Sequence, residues 1–142
     1  KKKVTEEYIV LLYMDRLDIS EYEGFAFDFS KYNDVNDLYI VSDILITDYS
    51  SVFFDYANLK RPILFYTYDL DKYKDELRGF YIDMEKDLPG PLLFDSLELL
   101  NNIKNIEVVN TNYKERYKAF YNKFCLLDDG KATKRVVEKV IK

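Results

Sequence analysis

From Tyr8 to Met14 the chain is apolar without a polar break (YIVLLYM), until Asp15 interrupts it. An unbroken β-prone run of this length predicts a strand covered on both faces, as in a parallel sheet. Phe25 to Phe29 predicts a second short strand. Asp34 stands where a helix N-cap belongs, ahead of Val35, Leu38 and Tyr39. Ile44 to Thr47 (ILIT) predicts a third strand, and Ser50-Ser51 open a helix carrying Phe53, Phe54 and Ala57. Pro62 leads into a fourth strand, Ile63 to Tyr66. Asp69 to Leu77 has the pattern of a helical turn or two, and Leu88-Pro89-Gly90-Pro91 breaks regular structure. Beyond it, Leu97, Leu100 and Ile103 recur every third residue. Tyr113, Tyr117, Phe120, Tyr121 and Phe124 mark one helix face, and Gly130 ends that segment. Ala132, Val136, Val137, Val140 and Ile141 mark a last amphipathic helix. Strand and helix alternate at short spacing, which predicts an α/β fold with a mostly parallel sheet and a helical C-terminus. No repeat, low-complexity tract or linker divides the pattern, so residues 1–142 are expected to form a single domain.

Composition narrows the chemistry. Of the 142 residues, 26 are acidic and 21 basic, a formal net charge of -5. A net acidic chain repels a phosphate backbone at long range, so nucleic acid is not an expected partner. There is no histidine, which removes histidine acid–base catalysis, histidine triads and most zinc sites from this chain. The one cysteine, Cys125, forms neither an internal disulfide nor a metal cluster, which suits a reducing compartment. Aromatic residues are 17%, with 14 Tyr and 10 Phe. That share allows ring-lined pockets but is mainly read as core and boundary packing. No stretch has the length of a transmembrane span, and the apolar run at Tyr8 is too short for a signal peptide. The chain opens on Lys1 rather than Met, as a piece of a longer protein would.

Three segments are candidates for chemistry. In the first, the predicted strand ends at Thr47 and a helix begins near Ser50 or Ser51. Ligands of open α/β sheets sit beyond the carboxyl ends of the strands, where a helix start presents unpaired N–H groups and the positive end of its dipole. With the two serine hydroxyls this makes a phosphate cradle without a glycine-rich loop. The competing reading makes Asp48, Ser50 and Ser51 ordinary capping residues, and Asp48 itself would repel a phosphate unless it faces a hydroxyl or a cation. The second segment is Leu77-Arg78-Gly79-Phe80-Tyr81, where Arg78 can grip a phosphate with two N–H groups and Gly79 allows close backbone approach. The third, Asp128-Asp129-Gly130-Lys131-Ala132-Thr133, opens the last helix, with Lys131 able to face an anion or simply to flank a cap. Lys60-Arg61-Pro62 reads as a solvated connection. Dinucleotide, Walker A and nucleophile-elbow motifs are absent, and Asp69, Asp71 and Asp75 fit no calcium-loop spacing. No metal or cofactor is expected.

Some of these motifs go beyond local physics. The run ILITDYSSVFFDYANLKRPILFYTYDLDKY (44–73), then LRGFY (77–81), DLPGP (87–91) and DDGKA (128–132), resembles the C-terminal domain of the CDP-glycerol glycerophosphotransferases. These enzymes prime and polymerise teichoic acid. The resemblance spans roughly residues 8 to 142, in order and correctly spaced. It implies a Rossmann-like three-layer domain, the C-terminal half of a GT-B-like glycosyltransferase, that binds the nucleotide-activated donor. The implied reaction moves glycerol phosphate from CDP-glycerol to a lipid-linked acceptor chain and releases CMP, at the cytoplasmic face of the bacterial membrane. By the same resemblance, Asp48, Ser50 and Ser51, with Thr47 beside them, lie at the donor's phosphates or glycerol, and Arg78 with Gly79 at the pyrophosphate. The general base would come from the enzyme's own N-terminal domain.

One departure from the family pattern falls after the first strand. Where the family usually carries Arg-x-His, this chain has Tyr13-Met14-Asp15. A carboxylate at neutral pH accepts hydrogen bonds and repels phosphate. Three readings follow: glycerol-phosphate transfer, transfer of another CDP-activated polyol such as CDP-ribitol, or a non-catalytic interaction module that keeps the fold.

Overall fold

The computed structural model describes residues 8–14, 18, 20–22, 24–70 and 82–141. They fall into two compact units, residues 1–42 and 43–142.

In the first unit β1 (Val10–Leu12) pairs in parallel with β2 (Ala26–Asp28), Val10 opposite Ala26 and Leu12 opposite Asp28. The strand predicted from the apolar run is therefore present but shorter. It is not covered on both faces among the described residues: Ile9 is 75% exposed and Val10–Leu12 are half-buried. Among the described residues β1 has one strand neighbour, β2. Helix α1 (Val35–Val41) follows, capped as expected by Asp34, whose side chain accepts from the Asn36 amide at 2.9 Å.

The second unit holds a three-stranded parallel sheet in the order β3 (Leu45–Thr47), β4 (Ile63–Tyr66), β5 (Leu92–Leu93). Between β3 and β4 runs α2 (Val52–Tyr56), continued by a 3-10 turn over Ala57–Leu59. After β5 come α3 (Ser96–Lys104), α4 (Ile106–Phe124) and α5 (Ala132–Val140). All the pairings are parallel, as the apolar character of β4 requires: Ile63, Leu64 and Phe65 are at most 1% exposed. Successive β4 side chains point to opposite faces. Leu64 joins Leu93 and Val109 in a cluster that Ile103 and Ile106 border. Phe65 meets Phe53 edge-on at 5.1 Å, and Phe53, Phe54, Phe120 and Phe124 continue that aromatic layer. The aromatic wealth of the sequence is thus largely packing.

Strand β5 was not legible in advance. The Leu88-Pro89-Gly90-Pro91 segment reads as a loop breaker, yet all four residues are buried and the chain then pairs with β4. Gly90 makes this possible, since a Cβ there would lie 1.8 Å from the Ile63 carbonyl oxygen. The helical turns expected at residues 69–77 lie, beyond Leu70, outside the described residues. No helix among the described residues is long and apolar enough to cross a membrane.

Candidate functional site

In a parallel sheet every strand delivers its following loop to the same edge. The turns after β3 (48–51), β4 (67–70) and β5 (94–95) therefore share the carboxyl edge of the second unit's sheet. This is the edge at which open α/β sheets bind ligands.

The turn after β3 is built locally. Asp48 Oδ1 accepts from the Ser50 amide at 3.1 Å, an Asx-type turn that reverses the chain after Thr47. Ser51 takes the N-cap position of α2 with helical φ and ψ (-68°, -3°), and its side chain makes no cap bond. Its carbonyl accepts from Phe54 N–H at 3.1 Å. The Ser51, Val52 and Phe53 amides have no acceptor among the described residues. Asp48, Ser50 and Ser51 are exposed and Thr47 is half-buried. The segment thus divides. Asp48 and the Ser50 amide are occupied with the turn, whereas the Ser51, Val52 and Phe53 amides and the Ser51 hydroxyl are left without a partner among the described residues at the helix start. Because α2 has only five residues, these local N–H groups, rather than a long macrodipole, are what the turn offers an anion.

A second side chain fixes this turn. Tyr49 OH donates to Asp69 Oδ1 at 2.9 Å and so ties the loop after β3 to the loop after β4. Burial, then the Asp69 carboxylate, hold the Tyr49 phenol well above its usual range, so it stays a donor at any ordinary pH. Nearby, Thr67 is fully buried at the end of β4. Its amide donates to Leu93 O at 2.8 Å, while its hydroxyl has no partner among the described residues. Beyond β5, Asp95 caps α3 through the Leu97 and Glu98 amides, and Tyr66 OH meets Ser96 Oγ at 3.1 Å. Sequence reasoning passed over Tyr49, and weighed Asp69 only as a metal ligand. The available signal was position: each lies just past the end of a strand of the parallel sheet.

The other candidates are placed differently. Lys131 is exposed and its amide donates to Asp129 Oδ1 at 2.9 Å. Asp129 also pairs with Arg135 at 2.6 Å, and the Arg135 bond holds its carboxyl below the usual range. Asp128 accepts from Asn58 Nδ2 at 3.2 Å. Asn58 lies in the 3-10 turn at the far end of α2 from Ser51, seven residues or about 10 Å along the axis. The DDGKA segment therefore sits at the opposite end of α2 from the Asp48–Ser51 turn, and Lys131 is not brought to that turn. Arg78, Gly79 and Asp15 lie outside the described residues. At the end of β1, Tyr13 and Met14 are 51% and 53% exposed, and the Met14 amide donates to Ser30 Oγ at 3.3 Å.

A parallel α/β sheet with polar turns gathered at its carboxyl edge is the architecture of one half of a GT-B-like glycosyltransferase, and close structural relatives bear this out. The chain belongs to the CDP-glycerol:poly(glycerophosphate) glycerophosphotransferase family, whose model matches residues 2–142. It is 48% identical over 147 residues to a teichoic acid poly(glycerol phosphate) polymerase of Bacillus subtilis, covering 100% of this chain and 20% of that protein. It is 46% identical over 145 residues to a teichoic acid glycerol-phosphate transferase of Staphylococcus aureus, covering 100% of this chain and 37% of that one. Among solved structures, a histidine-to-asparagine variant of the wall teichoic acid polymerase TagF soaked with CDPG superposes with a TM-score of 0.87. The identity there is 47%, over 97% of this chain and 36% of that one. The chain thus spans about a fifth to a third of the length of the relatives it matches.

Proposed function

We propose that this chain is the donor-binding part of a transferase that moves glycerol phosphate from CDP-glycerol to the hydroxyl end of a lipid-linked poly(glycerol phosphate) chain. The acceptor oxygen attacks the glycerol-bearing phosphorus and a new P–O bond forms there. The bond from that phosphorus to the bridging oxygen breaks, and CMP leaves with that oxygen. The acceptor proton passes to a base contributed by the enzyme's N-terminal domain, since this chain holds no histidine. The chain's own part is to hold the donor and spread the charge that grows on the leaving phosphate.

The observation that carries this reading is the Ser51 helix start, with its unspent hydroxyl and amides 51–53 at the carboxyl edge. In the proposed arrangement these donors meet a donor phosphate, and Arg78 with Gly79 meets the pyrophosphate from the following segment. The Asp48 carboxylate is an acceptor and repels phosphate, so it faces a hydroxyl of the glycerol or ribose. Glycerol is preferred over ribitol because the family description and both relatives above name glycerol phosphate. Peripheral association with the cytoplasmic membrane face follows from a lipid-linked acceptor. Calorimetry tests the reading. CDP-glycerol should bind saturably, and Arg78→Ala or Ser51→Ala should weaken it about tenfold, one charge-assisted hydrogen bond's worth. No heat at millimolar ligand, or undiminished binding by both variants, overturns it.

The Tyr13-Met14-Asp15 departure favours a second reading, a module that keeps the fold without the chemistry. It predicts that Asp15→His creates donor affinity that the native chain lacks.

A further inference from the structure

A cavity of about 630 Å³ opens on the second unit away from the carboxyl edge. It is lined by Pro62 and Ile63, the residues that enter β4, so it lies at the amino edge of the strands. The four residues of β4 alone put about 13 Å between the two edges. Its floor is the face of α4 that carries Tyr113, Tyr117 and Tyr121, one helical turn apart. Tyr117 OH donates to the Arg61 carbonyl at 2.8 Å, which pins α4 to the corner leading into β4. Lys114 and Lys118 belong to the same helix, and Lys60, at that corner, lines the cavity with them. No acidic residue is among the described residues that line the cavity, although the whole chain carries a net charge of -5.

Lys60 has a backbone that glycine would adopt more readily, φ 56° and ψ 33°, at the end of the 3-10 turn. Its ammonium lies 4.4 Å from the centre of the Tyr121 ring, held over the cavity floor. The floor is therefore pinned, its charge is of one sign, and one cation is positioned by a ring. A volume of this size falls within the range of ligand sites.

We propose that this lysine-rimmed, tyrosine-floored groove binds the anionic poly(glycerol phosphate) chain at a point remote from the donor edge. Lys114 and Lys118 stand one helical turn apart, about 5–6 Å between Cβ atoms. Cations at that spacing suit phosphodiesters that recur along a chain with three-carbon spacers, while the rings accept the glycerol carbons. A groove that retains the polymer keeps it near the enzyme between successive additions. The proposal rests on the transferase reading for its ligand but uses none of the donor-site residues.

The test is a fluorescence-polarisation titration of the protein with labelled glycerol-phosphate oligomers. Inorganic phosphate and anionic phosphatidylglycerol vesicles are the competitors, and CDP-glycerol calorimetry runs in parallel. Saturable oligomer binding is expected, lost at least tenfold in Lys114→Ala/Lys118→Ala and in Lys60→Gly, with donor affinity unchanged. Lys60→Gly keeps the test independent of folding, because glycine suits that backbone. Absent oligomer binding, or binding that survives both variants, overturns the proposal. Competition by vesicles as strong as that by unlabelled oligomer also overturns it and assigns the groove to lipid headgroups. Loss of donor binding with intact oligomer binding would count against the donor site alone.

Discussion

Gly90→Ala should destabilise the sheet that presents the carboxyl-edge turns, and the size of the effect can be worked from the structure. The new Cβ would stand 1.8 Å from the Ile63 carbonyl oxygen and 3.0 Å from its carbon. Both are backbone atoms at the start of β4, so no side-chain rotation relieves the overlap. The entry to β5 has to retreat by more than an ångström. Two ladder bonds bear that shift, Phe65 N to Pro91 O at 3.0 Å and Thr67 N to Leu93 O at 2.8 Å. At about 1 kcal/mol each, and with about 1–3 kcal/mol for overpacking a filled core, the cost is roughly 3–5 kcal/mol. For a chain of this size about 1 kcal/mol lowers Tm by roughly 3–5 °C, so thermal unfolding followed by circular dichroism should shift down by about 10 °C or more. A variant that melts within about 2 °C of wild type would refute the close approach of residue 90 to β4, and with it the placement of β5.

Further outcomes follow from other contacts. Tyr49→Phe removes the Asp69 bond between two carboxyl-edge loops and should cost about 1–2 kcal/mol, because a half-buried carboxylate loses one donor. Urea unfolding measures this, and the same variant should weaken CDP-glycerol several-fold. Lys60→Gly should change stability by less than about 1 kcal/mol, the relief of left-handed backbone offsetting the lost ring contact. Tyr56 is fully buried, and burial pushes its phenol up to about 12 against the pull of Arg61. Its neutral form is favoured in the fold. The stability it contributes is therefore complete below about pH 10 and lost between pH 10 and 12, roughly 2–3 kcal/mol in all. Denaturant midpoints across that window should fall in wild type and fall less in Tyr56→Phe.

Much of the fold was legible because its signals are local. The ILIT and ILFY runs became β3 and β4, Asp34 capped α1, and the Tyr113–Phe124 spacing became α4. β5 was not, because a two-residue strand after Leu88-Pro89-Gly90-Pro91 is set by non-local packing against β4, which no short window records. Nor does an apolar run say how many strand neighbours it has: β1 has one among the described residues. At the site, the reversal at Asp48–Ser51 was readable from strand-end chemistry. Its division into an occupied Asp48–Ser50 pair and an open Ser51 start was not, because hydrogen-bond geometry decides it. The Tyr49–Asp69 bond joins residues 20 apart, and the groove around Lys60 joins residues some 60 apart, so neither leaves a periodic trace.

In the proposed function, the backbone between Thr47 and Phe53 receives a phosphate of the donor. Amide nitrogen–proton NMR spectra recorded during a CDP-glycerol titration address it at the atoms concerned. Saturable shifts of the Ser51, Val52 and Phe53 resonances, tracking the calorimetric affinity, are the predicted result. Saturable binding that leaves those three amides unmoved would contradict it.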